Sequence, residues 1–357
     1  MKTLRWKLAA LTAALVLAAC GGGGTDAPSN PAGISALVTF GDSLSDVGTY
    51  KVGTIAALGG GRWTINGAAG GDQIWTERIA ALLALPAPCA AETGLSPNIP
   101  GLTGAATTAH AGCTNYAEGS ARVSNPLAPY SVALQTLGDH NIGMLAKPIS
   151  GQIAAHLTTT GGSFSGKELV MVWAGANDIF MELQLTAPTS PTSAVANVAV
   201  EADQLVALIQ TQLVANGAKR VLVLNLPDIS QTPFAVAQGA AAQQLISAMV
   251  QTFNAHLAAG LSGVSGVRLA NAYAENQAQF ANPAQYGVST MAAVACGPNA
   301  LSSPATANGT ALVCTPNSTV ASDVSGYFFA DYVHPTPLGH KLLSQFVARE
   351  LAQVGWL

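Results

Sequence analysis

Charged side chains are scarce in this sequence of 357 residues. Only 9% of its residues are Asp, Glu, Lys or Arg, whereas 49% are hydrophobic. Intrinsically disordered chains have the opposite balance, so that class of protein is excluded. A net charge of −4 provides no basic surface for the phosphates of a nucleic acid, and we expect no nucleic-acid partner.

Long apolar segments are also missing beyond the N-terminus. No uninterrupted apolar run there approaches the roughly 18 residues that a membrane-spanning helix needs. The mean hydropathy of +0.35 comes largely from Ala and Gly, so we expect the body of the protein to be soluble. The Cys-x-x-Cys spacing of structural zinc sites is absent as well, and we predict neither a metal nor an organic cofactor.

The N-terminus, in contrast, has the pattern of an export signal. Basic residues at positions 2, 5 and 7 precede an apolar segment, residues 8–19, which is too short to remain as a transmembrane helix. The segment ends Leu17-Ala18-Ala19-Cys20, which resembles the lipobox of bacterial lipoproteins. That resemblance implies that Cys20 carries a lipid and becomes the mature N-terminus. The alternative is a plain signal peptide cut at an Ala-x-Ala-like site.

These observations predict three parts of the chain and a cellular location. The parts are a lipoprotein signal peptide (residues 1–19), a flexible tether containing Gly, Ser and Pro (residues 20–34), and one large folded domain (residues 35–357). The predicted location is outside the cytoplasm. We expect a bacterial lipoprotein anchored in the outer membrane, on its periplasmic or cell-surface face, or a secreted protein.

The remaining cysteines agree with export. Without Cys20 the chain has four, at positions 89, 113, 296 and 314, an even number suited to an oxidising compartment. Four cysteines allow three pairings. We predict the pairing of sequence neighbours, Cys89–Cys113 and Cys296–Cys314. Each pair brackets a segment rich in Gly, Pro, Ser and Thr, which is typical of a long loop that a disulfide would stabilise.

Short apolar segments alternate with longer helical patterns along the body. The predicted strands are residues 36–40, 169–173, 221–224 and 267–269. The predicted helices are residues 195–214, 243–257, 337–354, and one capped by Asp72 that runs to Leu83. This alternation predicts an α/β fold in one large domain, with a doubly wound, mostly parallel sheet and helices on both faces.

Polar side chains follow two of these strands and recur near the C-terminus. The segments are Gly41-Asp42-Ser43-Leu44, Gly175-Ala176-Asn177-Asp178 and Asp331-Tyr332-Val333-His334. The carboxyl ends of parallel strands meet at one edge of the sheet, so we expect these side chains to lie close together. A hydroxyl, an imidazole, a carboxylate three residues before it and an amide are the parts that acyl transfer needs.

In these segments the sequence resembles the GDSL, or SGNH, family of esterases and lipases. The segment Asn115-Tyr116-Ala117-Glu118-Gly119-Ser120-Ala121 resembles a further block of that family, N-x-A-x-G-G-A. The ending Phe-Ala-Asp-x-x-His-Pro-Thr is most similar to the esterase passenger domains of bacterial autotransporters. The resemblance implies the flavodoxin-like SGNH-hydrolase fold. We expect the lipid on Cys20, in place of a translocator domain, to supply membrane attachment.

Carried over residue by residue, the resemblance implies a catalytic triad. Ser43 would be the nucleophile, His334 the general base and acid, and Asp331 the group that orients His334. The oxyanion hole would combine the Ser43 N–H, the Asn177 side-chain amide and an N–H of the 115–121 segment. Ser120 replaces the second glycine of that segment, so this last donor is either Ser120 or Gly119. No Gly-x-Ser-x-Gly surrounds Ser43, which disfavours the common α/β-hydrolase fold.

The expected function is therefore that of a serine esterase or lipase. It would hydrolyse small-molecule or lipid carboxylic esters through an acyl-enzyme, and act as a monomer. A phospholipase or acyltransferase on the same triad is one alternative, and a non-catalytic surface-binding lipoprotein is another.

Other polar and aromatic residues near these segments receive simpler interpretations. We interpret Asp42 and Asp46 as loop carboxylates, Asp178 as a helix cap and Trp63 as a core residue. The remaining histidines, His340 among them, are expected in surface or capping roles.

Overall fold

A computed structural model describes residues 30–135, 142–302 and 309–357. The strands found there are β1 (Ala36–Gly41), β2 (Glu92–Leu95), β3 (Ala105–Ala109), β4 (Glu168–Trp173), β5 (Val221–Leu224), β6 (Val267–Ala270), β7 (Thr290–Val294) and β8 (Tyr327–Phe329). The helices are α1 (Gly53–Ala57), α2 (Trp75–Leu82), α3 (Val132–Gln135), α4 (Ile149–Thr159), α5 (Ala176–Leu185), α6 (Pro191–Leu208), α7 (Pro233–Gln238), α8 (Ala240–Leu261), α9 (Ala272–Ala281) and α10 (Pro337–Gln353).

The central sheet contains four parallel strands in the order β1-β4-β5-β6. These are the four segments predicted from the sequence, with their ends moved by at most one residue. Consecutive strands lie side by side and each pair is joined by at least one helix, so the predicted doubly wound α/β class is confirmed. Two small two-stranded sheets, β2-β3 and β7-β8, stand beside it.

Side chains alternate between the two faces of the sheet, as the pleat of a strand requires. In β4, Val170 and Val172 point into a cluster formed with α4, α5, α6 and α8, whereas Leu169 and Met171 point into a second cluster formed with α2 and α10. All four side chains are fully buried. Each contributes about 1.5–3 kcal/mol of hydrophobic stabilisation, so both faces hold the strand ends rigidly.

On its outer side, β1 is flanked by the 115–121 segment. Asn115 forms a parallel bridge with Thr39, and the Tyr116 N–H donates to the Thr39 carbonyl at 2.8 Å. Further along, the Glu118 N–H donates to the Gly41 carbonyl at 3.1 Å. The segment thus takes the position of an outer strand, and the chain order reverses at β1. Ligands of open α/β sheets bind at such a reversal.

Both predicted disulfides are present. Cys89–Cys113 fixes the start of the segment beside β1, and Cys296–Cys314 ties the chain after β7 to the loop that precedes β8. The sequence-local pairing is therefore confirmed. Cys20 lies outside the described residues.

Several predicted boundaries need correction. Ile74, and not Asp72, stands at the N-terminus of α2, because the Asp72 carboxylate instead accepts the Gly67 N–H at 2.8 Å. The helix predicted at residues 195–214 begins earlier, at Pro191, and changes to π-helical geometry over Ile209–Val214. Ile34, the last residue of the predicted tether, is buried against the sheet.

One stretch of helix, Pro191–Val214, is long and apolar enough to cross a membrane by length and composition. Its inner side chains, among them Leu205 and Ile209, are fully buried in the cluster that covers one face of the sheet. This packing is typical of a core helix.

Candidate active site

Ser43 lies in the turn that follows β1. The Gln152 side chain pairs with both backbone groups of Gly41, accepting its N–H at 2.9 Å and donating to its carbonyl at 2.8 Å. Position 41 must be glycine, because a Cβ there would lie 2.9 Å from the Trp173 carbonyl oxygen. Beyond it, the Asp42 carboxylate accepts the Leu44 N–H at 3.0 Å, and this turn presents Ser43 at the strand end.

His334 and Asp331 lie in the tight turn between β8 and α10. The Asp331 carboxylate accepts the N–H groups of Val333, at 3.1 Å, and His334, at 2.9 Å. It also accepts the Ala311 N–H at 2.7 Å, which ties the turn to the loop stapled by Cys296–Cys314. Three backbone N–H donors therefore hold the Asp331 carboxylate in the orientation in which it contacts the imidazole.

The three side chains form one continuous chain of hydrogen bonds. His334 Nδ1 lies 2.8 Å and 2.9 Å from the two oxygens of Asp331, and His334 Nε2 lies 2.9 Å from Ser43 Oγ. All three residues are less than 10% exposed. With Nδ1–H donating to the carboxylate, Nε2 faces the serine hydroxyl as an acceptor, which is the arrangement that activates a serine.

The pKa values of two buried carboxyl groups of the site, Asp331 and Asp42, are shifted in opposite directions. Burial alone would raise the pKa of Asp331, but the charge of His334 and the hydrogen bonds it receives outweigh burial and lower that pKa. Asp331 is thus the anion that an imidazolium requires beside it. Burial raises the pKa of Asp42 to about 7, only partly offset by the Leu44 N–H and by His334. Its carboxylate binds backbone in the turn, as expected of a loop carboxylate.

Asn177 projects from the first turn of α5. Its Nδ2 donates one hydrogen to the Ala121 carbonyl at 3.0 Å, and this bond orients the amide. The amide carries a second hydrogen, for which the described residues provide no acceptor. The positive end of the α5 dipole lies at the same place and favours negative charge there.

In the 115–121 segment, the N–H groups of Gly119 and Ser120 differ in whether they already have a hydrogen-bond partner. The Gly119 N–H already donates to the Asp46 carboxylate at 3.0 Å, so the geometry favours Ser120 over Gly119 as the donor. The Ser120 N–H has no hydrogen-bond partner in the described part of the chain. Ser120 also has a φ of +69°, the left-handed conformation that a glycine would adopt at no cost.

Asp178 is not a helix cap, contrary to the sequence-based interpretation. It lies inside the first turn of α5, where its carboxylate accepts from Arg122 Nε at 2.9 Å and from the Val123 N–H at 3.0 Å. Arg122 also binds Glu201 of α6. Burial raises the pKa of Asp178 to about 6 and that of Glu201 to about 8, against the pull of Arg122. This buried cluster holds α5 against the 115–121 segment.

Sequence reasoning missed several residues that hold the site. Gln152 gave no signal, because it contacts Gly41 across 111 positions of sequence. Trp63 was interpreted as core, which its burial in a hydrophobic cluster confirms, but its ring also packs on His334 with 4.6 Å between ring centroids. His340 was expected in a surface or capping role but is fully buried, and neither of its ring nitrogens has a hydrogen-bond partner among the described residues.

A small apolar cleft of about 70 Å³ lies near these turns, and neither Ser43 nor His334 is among its lining residues. Leu44 and Val333, the sequence neighbours of Ser43 and His334, line it together with aromatic rings. The rings are those of Trp173, Phe328, Phe329 and Phe346. Among the described residues, no group of three or more His, Cys, Asp or Glu side chains is arranged to hold a metal ion.

Comparison with known proteins gave two matches. A family model described as GDSL-like Lipase/Acylhydrolase matches residues 37–347. The chain is also similar to a phosphatidylcholine-sterol acyltransferase of Aeromonas hydrophila. The two are 24% identical over an alignment of 352 positions, and the aligned region covers 89% of this chain and 90% of the relative.

Proposed function

Because this chain belongs to the GDSL-like lipase/acylhydrolase family, we propose that it hydrolyses carboxylic esters through an acyl-enzyme on Ser43. The observation that carries the proposal is the chain of hydrogen bonds from Asp331 through His334 to Ser43 Oγ. Membership of the family makes the protein a hydrolase of the lipase and esterase type. The roles of individual residues, and the ester as substrate, are the proposal.

In the first half-reaction Ser43 Oγ attacks the ester carbonyl carbon while its proton passes to His334 Nε2. Asp331 stabilises the imidazolium that forms. The carbonyl oxygen becomes an oxyanion and accepts hydrogen bonds from the Ser43 N–H, the Ser120 N–H and the Asn177 amide. The bond to the alcohol oxygen then breaks, and His334 gives its proton to the departing alcohol.

In the second half-reaction a water molecule takes the place of the alcohol. His334 removes a proton from the water as it attacks the acyl-enzyme, and returns that proton to Ser43 Oγ when the carboxylic acid leaves.

A panel of p-nitrophenyl esters of increasing acyl length tests this proposal. We expect saturable hydrolysis by the wild type and none above background by Ser43→Ala of the same folded content. Equal turnover by the two proteins would refute the proposal. Absence of turnover by a folded wild type on every ester would favour the non-catalytic surface-binding lipoprotein.

A second candidate function is acyl transfer to an alcohol instead of water. It is favoured by the similarity, over 89% of this chain, to a protein named as an acyltransferase. Both reactions pass through the same acyl-enzyme, so the acceptor decides between them. We would incubate the enzyme with a phosphatidylcholine, with and without a sterol, and measure free fatty acid and sterol ester. Sterol ester formation at the expense of free acid would establish transfer.

We also propose that the protein is exported and carries a lipid on Cys20. The lipobox-like sequence motivates this proposal, and residues 1–29 lie outside the described residues. The two disulfides support export, since disulfides persist in oxidising compartments. An enzyme held at a membrane by its lipid would meet lipid esters at high local concentration.

A further inference from the structure

We propose that Trp63 is a positioning residue which acts on the general base and the oxyanion hole together. The proposal rests on the proposed role of His334 as base. Trp63 is 5% exposed, and its ring lies on the imidazole of His334 with 4.6 Å between centroids and 31° between planes. The hydrogen bonds at Nδ1 and Nε2 lie in the plane of the imidazole, so they leave the ring some freedom to tilt out of that plane. The indole removes that freedom.

The edge of the same indole presses on Gly119. A Cβ at position 119 would lie 2.6 Å from Trp63 Cζ2 and 2.8 Å from Nε1, so the ring is in contact with the glycine Cα. The two backbone groups of Gly119 are also held, the N–H by Asp46 and the carbonyl by Tyr50 Oη at 2.9 Å. Gly119 is therefore held by the Trp63 ring, by Asp46 and by Tyr50. Because Ser120 follows Gly119 directly, these contacts also fix the position of the Ser120 N–H.

Trp63 also has the right chemistry to assist the reaction. When Ser43 transfers its proton, His334 becomes a cation against the electron-rich face of an indole, an attraction of the cation–π type. This interaction requires a protonated imidazole, so it stabilises the transition state more than the ground state with neutral His334, and it also stabilises the protonated free enzyme at low pH. The indole Nε1–H has no hydrogen-bond partner among the described residues, which shows that the ring is not held there by a bond of its own.

Other groups that face His334 are few. Asp331 on its own turn and Asp42 in the turn after β1 are acidic, and His340 on α10 is the nearby base. Burial lowers the pKa of His340 to about 3, so His340 stays neutral in the working range. A change at Trp63 alters none of these charges, and its effect on the imidazolium can be measured separately from theirs.

The test uses three variants of the full-length protein. Trp63→Leu removes the aromatic face, and a ring-fluorinated tryptophan at position 63 keeps its shape but weakens the face. Ile55→Ala is the matched control, because Ile55 is a fully buried member of the same hydrophobic cluster as Trp63. For each we would measure the melting temperature, the pH profile of kcat/KM and the rate of fluorophosphonate labelling.

We expect both Trp63 variants to shift the acid limb of kcat/KM by about 0.5 to 1 pH unit towards lower pH. Labelling should slow by about 3- to 10-fold, and in turnover of an ester the loss should appear in kcat more than in KM. The fluorinated protein should keep the wild-type melting temperature, so it remains informative if Trp63→Leu does not fold. Ile55→Ala should lose stability without moving the acid limb.

An unchanged acid limb and labelling rate in the fluorinated protein would overturn the proposal. The proposal would also be overturned if Trp63→Leu and Ile55→Ala had the same pH profile and the same labelling rate after correction for the fraction of folded protein. Neither result touches the proposed function, whose own failure would appear as a wild type that the probe does not label.

Discussion

Asn177 offers the sharpest division between binding and catalysis. One hydrogen of its amide is committed to the Ala121 carbonyl, and the other is assigned to the oxyanion. Asn177→Ala should therefore lower kcat by about 10²- to 10³-fold, the loss that follows removal of one oxyanion donor. KM should stay nearly constant, because the ester carbonyl gains its negative charge only on the way to the transition state.

The same substitution has a cost in stability that must be separated from the kinetic effect. It leaves the fully buried Ala121 carbonyl without its donor, which should lower the free energy of unfolding by about 1–3 kcal/mol. Gln210→Ala is a suitable control, because Gln210 Nε2 makes a similar bond, to the Gly260 carbonyl at 2.8 Å, at the opposite end of the sheet. We expect it to leave kcat within about twofold.

Steady-state kinetics with a p-nitrophenyl ester, together with urea unfolding of each protein, provide the assay. A variant Asn177→Ala with raised KM and unchanged kcat would refute the reasoning, since Asn177 would then bind the substrate instead of stabilising the intermediate.

Three further predictions concern other parts of the chain. Ser120→Gly should keep kcat within about threefold, because it retains the backbone N–H. It should raise the free energy of unfolding by about 1 kcal/mol, because glycine adopts a φ of +69° without strain. A large fall in kcat would instead assign the stabilisation of the oxyanion to the Ser120 hydroxyl. Glu201 has a folded-state pKa raised to about 8, above its unfolded value, so its neutral form stabilises the fold at low pH and this contribution is lost as pH rises from about 4.5 to 8. Glu201→Gln, which stays neutral, should flatten that decline in a series of unfolding curves, and an unchanged slope would contradict the raised pKa. Cys20→Ser should move the protein from the membrane to the soluble fraction with its specific activity intact, and unchanged fractionation would argue against a lipid on Cys20.

The fold could be predicted from the sequence because strands that are buried on both faces of a sheet appear as continuous apolar segments. The strand residues 169–173 and 221–224 are continuous apolar runs, which is how parallel strands covered by helices appear. The boundaries were less accurate. Asp72 resembled a helix cap, but its carboxylate is engaged by Gly67 N–H and Arg62, and only the folded chain shows those partners.

The proposed reacting groups were also readable, since Ser43 and Asn177 follow β1 and β4, whose ends share an edge of the central sheet, and Asp331 precedes His334 by three residues. Their supports were not. Gln152 and Trp63 reach the site from distant parts of the chain, and an isolated glutamine or tryptophan in a sequence carries no sign of its partner. The choice between Gly119 and Ser120 depended on Asp46, whose bond to the Gly119 N–H spans 73 positions.

Covalent labelling with a fluorophosphonate probe tests the central claim most directly. Only a hydroxyl activated by an adjacent imidazole attacks phosphorus quickly, so peptide mapping of the labelled protein should find the adduct on Ser43 alone. Ser43→Ala should abolish labelling, and His334→Ala should reduce it to the background rate although it retains the hydroxyl. Labelling that persists in Ser43→Ala, or that proceeds at the wild-type rate in His334→Ala, would contradict the account.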